Sequence, residues 1–256
     1  MAFAPAPRTA LITGAARRIG AAIARDLAAH GWGVAIHYNT SRDEAEAVAA
    51  EIRASGGRAV TVKADLADLG ALPGLVDAAA ADLGPIGLLI NNASEFEPDE
   101  IGRLDPARVD RHLRVDLASP CLLTDAWLSR LPDGAEGHVV NIVDQRVWRP
   151  NPHFFSYTLA KSALWTATVT MAQTLAPRIR VNAIGPGPSF ANTRQTAEDF
   201  AREVAAVPLR RGPAAEEFGR TVRFFVDTPS VTGQMICLDG GQHLAWETPD
   251  TAGGSV

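Results

Sequence analysis

The chain has 256 residues, 46% of them hydrophobic and 21% charged, with a formal net charge of -5. That is the composition of a globular protein, and its mild acidity argues against a nucleic-acid-binding module, which normally carries a basic face. Its two cysteines, Cys121 and Cys237, are far apart and in no CxxC spacing, which excludes a disulfide framework or a zinc knuckle and points to a reducing compartment.

The start, Met1 to Pro7, is Ala/Pro-rich and lacks a charged n-region. A strand, Ala10–Thr13, follows at once, and no run reaches the ~18 apolar residues of a membrane span. A cytoplasmic protein is therefore expected. The chain continues as helix Ile19–His30, strand Gly33–His37, helix Asp43–Ser55, strand Ala59–Lys63, helix Ala71–Leu83 and strand Gly87–Asn91. Helix Pro106–Leu131, strand His138–Val143, helix Tyr157–Leu175 and strand Ile179–Ala183 come next. A helix pair within Thr196–Thr228 and strand Met235–Asp239 complete the order. Continuous apolar strands are buried on both faces, and their alternation with helices implies right-handed crossovers. The expected fold is α/β, one three-layer doubly wound parallel sheet of about seven strands. Residues 1–256 form a single domain, and the small polar residues Thr248 to Val256 lie outside the core.

The first strand runs into Thr13-Gly14-Ala15-Ala16-Arg17-Arg18-Ile19-Gly20. Gly14 permits a tight turn, Gly20 permits close helix packing, and the free N–H groups of a helix start suit a pyrophosphate. A plain βα turn would look the same, and no G-K-[ST] ending marks a nucleoside triphosphatase. After the second strand, where an Asp or Glu would select NAD, stand His37, Tyr38, Asn39, Thr40, Ser41 and Arg42. Their hydroxyls and guanidinium suit a 2′-phosphate, favouring NADPH over NADH. Thr40 or Ser41 can equally cap the next helix.

Tyr157 and Lys161 stand four apart and share a helix face. An ammonium one turn away favours the phenolate and is expected to lower the tyrosine's pKa, so that it can pass a proton while a hydride moves.

Thr13-Gly14-x5-Gly20, Asp65-Leu66, Asn91-Asn92-Ala93, Tyr157-x3-Lys161, Val181-Asn182-x2-Gly185-Pro186-Gly187 and Asp239-Gly240-Gly241 occur in one order along nearly the whole chain. In this the sequence resembles the short-chain dehydrogenase/reductase family. The resemblance implies a Rossmann-type domain, a nicotinamide cofactor and a homotetramer. It places Gly14, Arg18, Ile19 and Gly20 on the cofactor phosphates and ribose, and Asp65 and Leu66 at the adenine. Asn92, Ala93 and Ser94 would lie near the nicotinamide ribose, Lys161 would bind that ribose, and Pro186, Gly187 and Ser189 would border the nicotinamide.

Three positions depart from the family pattern. Arg18 replaces a loop glycine, Asp144 stands where the family has a catalytic serine, and Asp116 stands where it has a helix asparagine. An ionised carboxylate can only accept, and a negative charge beside a developing alkoxide raises the barrier. Asp144 therefore argues against simple ketone reduction and for a substrate with N–H donors or a C=N bond, unless it merely caps a turn. With Arg17-Arg18-Ile19-Gly20, His37 to Ser41, Asn91 to Phe96 and Gly185 to Ser189, the Asp144/Tyr157/Lys161 set resembles the pteridine reductase branch. That resemblance implies NADPH-dependent reduction of a dihydropterin, biopterin-like compound or folate. Phe96 would stack on the pterin, and Arg18, Ser94, Asp144, Tyr157 and Pro188 would also contact substrate; a loop aromatic that plugs the core would read the same way as Phe96. Arg146, Trp148 and Arg149 could line the pocket, and residues 188–212 would form a substrate lid. No histidine sits in a mixed ligand cluster in the sequence, so no metal is expected. Two alternatives remain open here: a reductase of another carbonyl or imine, and a non-enzymatic NADPH-binding regulator.

Overall fold

The computed structural model describes residues 3–191 and 194–246; the tail Thr248 to Val256 lies outside the described residues. Seven strands are present among them: β1 (Thr9–Ile12), β2 (Gly33–Tyr38), β3 (Arg58–Lys63), β4 (Leu88–Asn91), β5 (Gly137–Ile142), β6 (Ile179–Pro186) and β7 (Met235–Leu238). They form one parallel sheet in the order β3-β2-β1-β4-β5-β6-β7. The helices are α1 (Arg18–Ala29), α2 (Arg42–Ala54), α3 (Leu72–Leu83), α4 (Pro106–Leu113), α5 (Ser119–Leu128), α6 (Phe155–Leu175), α7 (Ala197–Ala206) and α8 (Ala215–Asp227).

Strand side chains alternate between two apolar layers, as a period of two requires. Ile12, Val34, Ile36, Ile90 and Ile142 pack with Ile23 and Leu27 of α1, Val48 of α2 and Phe218 and Phe225 of α8. Leu11, Ala35, Leu89, Val139 and Val181 pack with Leu75 of α3, Trp127 of α5 and Ala172 of α6. The sheet is thus covered on both faces, as its continuous apolar strands imply. The chain winds outward from β1 to β3 and then returns to β4 on the other side of β1. Outside the carboxyl ends of β1 and β4 this reversal opens a crevice, the usual ligand position in such sheets.

Two elements differ from expectation. The single helix expected over Pro106–Leu131 is divided into α4, a π-helical turn at Arg114–Ala118, and α5. Pro120 lacks the N–H that would bond the Asp116 carbonyl four residues back, and its ring crowds that carbonyl, so the α-helical ladder cannot pass through. β6 continues three residues past Ala183 to Pro186, because β7 pairs with it from Ala183↔Met235 to Pro186↔Leu238. Gly185 and Pro186 are therefore strand residues at the crevice edge. No helix of the described residues is long and apolar enough to cross a membrane.

Candidate active site

A cleft of about 1090 Å³ runs along the carboxyl ends of the strands. Its lining holds Gly14, Arg18, Ile19, His37, Tyr38, Asn39, Thr40, Ser41, Asp65, Leu66, Asn92, Ala93, Ser94, Phe96, Asp144, Tyr157, Lys161, Pro186, Gly187, Pro188 and Ser189. Gly20 sits behind the wall. A Cβ there would lie 2.6 Å from the Asn92 amide nitrogen and 2.7 Å from the Gly14 carbonyl oxygen, so Gly20 shapes the turn by being small.

At the phosphate end the turn is closed by short polar side chains. Gly14 has φ +61, and a Cβ on it would meet Ala93 Cα at 2.8 Å. Thr13 Oγ1 accepts from the N–H groups of Asn92 (2.9 Å) and Ala93 (3.0 Å). The Asn92 amide donates to the carbonyls of Thr13 (2.8 Å) and Gly14 (3.0 Å), so it braces the turn. His37 Nδ1 accepts from Gly14 N–H at 3.0 Å, which leaves Nε2 to donate to the Ala64 carbonyl at 3.1 Å.

That network corrects two expectations. Burial pushes His37 down to about 4, with the Ala64 hydrogen bond and the Asp65 charge pulling weakly the other way. The ring is neutral at pH 7 and braces the turn; it supplies no charge to a phosphate. Arg17 lines the cleft and donates to Ser41 Oγ at 2.8 Å, whereas Arg42 opens α2 on the exposed surface and does not line it. Arg18 has φ +51, so it adopts the left-handed conformation for which the family uses glycine, and its guanidinium reaches the Ala191 carbonyl at 3.0 Å.

At the other end, β5 delivers Asp144 and the first turns of α6 deliver Tyr157 and Lys161. Tyr157 Oη donates to Asp144 Oδ2 at 2.8 Å. Asp144 Oδ1 accepts from the Arg146 N–H at 2.8 Å, so the aspartate both caps a short 3₁₀ turn and faces the tyrosine. Burial raises the Asp144 carboxyl against the pull of the Arg146 N–H and charge. Lys161 is buried and donates to the Ile142 carbonyl at 2.9 Å. Its Nζ lies 3.4 Å from Asp116 Oδ1 and 5.8 Å from the centre of the Tyr157 ring.

The expected lowering of the tyrosine pKa is overturned by this arrangement. Burial raises the Tyr157 phenol well above its ordinary value, and the charges of Asp144 and Asp116 raise it further. Two carboxylates outweigh one ammonium that is held against Asp116 and the Ile142 carbonyl. Tyr157 is therefore a neutral phenol, a hydrogen-bond donor and an acid.

Phe96 lies beside this group, its ring edge-on to Tyr157 with centroids 4.8 Å apart. Its face stacks on Phe154 at 4.2 Å with the planes parallel to 1°. Phe154 was not anticipated from the sequence, although the run Phe154-Phe155-Ser156-Tyr157 places an aromatic within a turn of the tyrosine. Arg146 and Arg194 each lie within 6 Å of both ring centres. Arg194 also donates to the Phe96 carbonyl (2.6 Å) and pairs with Glu97 (2.9 Å), fastening the segment before α7 to the loop after β4. Within 188–212, residues Pro188, Ser189, Phe190, Arg194, Gln195, Phe200 and Glu203 line the cleft. Of the three residues expected after β5, only Arg146 lines it. Trp148 packs edge-on against Trp165 and His243, and Arg149 donates to the Gln242 carbonyl.

A buried chain fixes the loop relative to α6. His112 and Ser156 Oγ are 2.6 Å apart, Ser156 Oγ donates to Asp99, and the Ser156 N–H donates to Asp99 Oδ1 at 3.1 Å. His112 Nε2 accepts from Glu97 N–H, so Nδ1 carries the proton toward Ser156. Ser156 precedes Tyr157, and Glu97 follows Phe96.

The histidines also require a correction. His243 does enter a mixed cluster: ligand atoms of Cys237, Asp239 and His243 lie within 4.8 Å of one another. Asp239 already accepts from Gly241 N–H at 2.9 Å and from His243 N–H at 2.8 Å, which makes it the brace of the turn after β7. Burial, then the charges of Asp239 and Asp144, push the Cys237 thiol up to about 12, so it is protonated.

The model of the short chain dehydrogenase family matches residues 8–202. A crystal structure of FolM alternative dihydrofolate reductase 1 from Brucella canis, complexed with NADP, superposes with TM-score 0.92 at 59% identity, covering 94% of this chain and 96% of that one. A blue fluorescent protein from a metagenomic library in complex with NADPH matches with TM-score 0.84 at 32% identity, covering 91% and 96%. A 3-oxoacyl-[acyl-carrier-protein] reductase from Synechocystis sp. is 33% identical over 242 residues, covering 93% of this chain and 97% of the relative.

Proposed function

This chain belongs to the short-chain dehydrogenase family of oxidoreductases, and from that premise we propose that it uses NADPH to reduce a C=N bond of a pteridine, either a dihydropterin or dihydrofolate. The observation that carries the substrate class is the Tyr157–Asp144 hydrogen bond at the end of β5.

The chain's own residues fit the cofactor. The positive φ of Gly14 and the lack of room for a Cβ at Gly14 or Gly20 leave a turn that backbone can bring close to a pyrophosphate. Arg17, with Ser41, Thr40 and Asn39, offers charge and hydroxyls to a 2′-phosphate, and no carboxylate stands at the end of β2 to select a free 2′-hydroxyl. Lys161 would hold the nicotinamide ribose, and Pro186, Gly187 and Ser189 would border the ring. When bound, NADPH supplies the hydride.

Tyr157 supplies the proton. Hydride arrival at the carbon of a C=N bond leaves the nitrogen needing one proton, and a neutral phenol can give it from Oη. The tyrosinate formed then regains its proton from solvent by way of the Asp144 carboxylate, to which Oη is hydrogen-bonded at 2.8 Å. A ketone offers no nitrogen, and an ionised Asp144 beside its developing alkoxide would be repulsive. Phe96 supplies a flat apolar face for the heterocycle, and Arg146 and Arg194 supply positive charge near it for an anionic tail.

The similarity to FolM supports this reading, and the similarity to the 3-oxoacyl reductase supports a ketone substrate instead. A homotetramer also fits, since Leu113, Leu122 and Leu159 are exposed on α4, α5 and α6. The test is NADPH oxidation by the wild-type protein with 7,8-dihydrobiopterin, 7,8-dihydrofolate and a 3-oxoacyl thioester in parallel. Turnover of the pteridines well above the thioester is expected. The reverse order would replace this reading with carbonyl reduction, and NADPH binding without turnover would favour a regulator.

A further inference from the structure

Asp116 is a fully buried carboxylate, and neither of its oxygens has a hydrogen-bond partner of good geometry. Such a group is costly unless something in its surroundings uses it. It sits in the π-helical turn at Arg114–Ala118, a distortion that Pro120 imposes on the helix and that aims the side chain at α6. Lys161 is the cation that answers it, at 3.4 Å.

The position of that ammonium is the unusual feature. Lys161 Nζ is bonded to the Ile142 carbonyl and drawn toward Asp116, while its ring contact with Tyr157 is 5.8 Å. A neutral amide at position 116 could accept one hydrogen bond but would exert no net charge on the ammonium. We propose that Asp116 is a positioning residue that sets where Lys161 sits: ionised, it draws the ammonium back against the end of β5, and protonated, it releases it toward Tyr157 Oη and the cofactor ribose.

The charge inventory supports a switch at this place. The charged or titratable groups facing Asp116 are Lys161 and Tyr157 on α6; from the loop after β4, Ser94 and the Glu95 backbone approach it. On the far side of Tyr157 stand Asp144 and Arg146, and His112 of α4 is turned away toward Ser156 and Glu97. With both aspartates ionised, two carboxylates flank one phenol and compete for one buried ammonium. Burial pushes Asp116 up to about 6, against the pull of Lys161, so its proton is exchanged close to neutral pH.

Proton and cofactor then become linked ligands. A proton on Asp116 favours the Lys161 position that binds ribose, so NADPH binds more tightly at low pH, by roughly fivefold or more between pH 8 and pH 5 if the coupling is of ordinary size. The 2′-phosphate of NADPH titrates in the same range, and an Asp116→Asn comparison cancels it. NADPH binding is followed by its fluorescence from pH 5 to pH 8 in wild type and Asp116→Asn, with Asp116→Ser as a second neutral variant should the amide fail to fold. The wild type is expected to weaken with rising pH relative to the neutral variant, the two converging at pH 5. Parallel curves would overturn the proposal and leave Asp116 a packing residue. The inference rests on Tyr157 and Lys161 being the reacting pair, and Tyr157→Phe separates the two failures. An active Tyr157→Phe would remove the functional reading, whereas parallel binding curves remove only the role of Asp116.

Discussion

At the phosphate end of the cleft Thr13, Asn92 and His37 each satisfy two or more backbone groups, whereas at the catalytic end Asp116 satisfies none and Tyr157 is caught between two carboxylates. The first region is a mould. Its shape is set by backbone conformation and by the absence of side chains at Gly14 and Gly20, and its histidine is neutral. The second is a set of competing buried charges on β5, α6 and the π turn, where the position of one ammonium and one proton decides what the group can do. Binding needs a rigid partner for a large anion; proton transfer needs groups whose charged and neutral forms are close in energy.

The comparison can be broken most severely at Tyr157. Replacement by Phe keeps the ring contacts with Phe96 and removes the proton, so a loss of about 10²–10⁴ in kcat is expected with NADPH affinity retained. Steady-state turnover and a fluorescence titration of NADPH check the two halves separately. The mould should fail differently. Gly20→Ala pushes a methyl to within 2.8 Å of backbone at Gly14 and Ala15, at a cost of roughly 1–3 kcal/mol, and should weaken NADPH binding and thermal stability together. Calorimetry with and without NADPH reads both.

A smaller effect is expected at Ser156, whose hydroxyl links His112 to Asp99. Ser156→Ala strands buried polar groups at a cost of about 1–3 kcal/mol, and by loosening Phe96 and Tyr157 it should raise the pteridine KM more than it lowers kcat. Michaelis parameters together with a denaturation curve would separate loosening from unfolding. The smallest effect concerns pH. His37 and His138 are both pushed down to about 4 by burial, from an ordinary value of 6.5. Lowered bases stabilise the fold above the unfolded value, and that stability is lost as pH falls from 6.5 through 4. Asp116, raised to about 6, acts in the opposite sense: its contribution is full below its ordinary 3.8 and is lost as pH rises through 6. Urea midpoints measured across pH 4 to 7 should therefore decline toward acid, and His37→Gln should flatten the decline.

What could be read in the sequence follows the same division. The order of strands and helices, the Gly14 turn and the Tyr157/Lys161 face are local patterns, and the fold keeps them. The neutral bracing role of His37 was not legible, because it depends on Gly14 and Ala64 reaching it from two other segments. Nor was the upward shift of Tyr157, since spacing shows the helpful lysine four residues on but not the two carboxylates that α6 meets in space. The π turn was closer to legible, because Pro120 forbids an unbroken helix on steric grounds alone. Phe154 was hidden because a pair of aromatics before a helix reads equally well as core.

The central claim is that Asp144, by pairing with Tyr157, commits the site to C=N reduction. Its most direct measurement is the ratio of kcat/KM for 7,8-dihydrobiopterin to that for a 3-oxoacyl thioester, in wild type and in Asp144→Ser. The account predicts a ratio well above one in the wild type that falls by about 10²-fold or more in the serine variant, because the pteridine rate drops and the ketone rate rises. An unchanged ratio would contradict it.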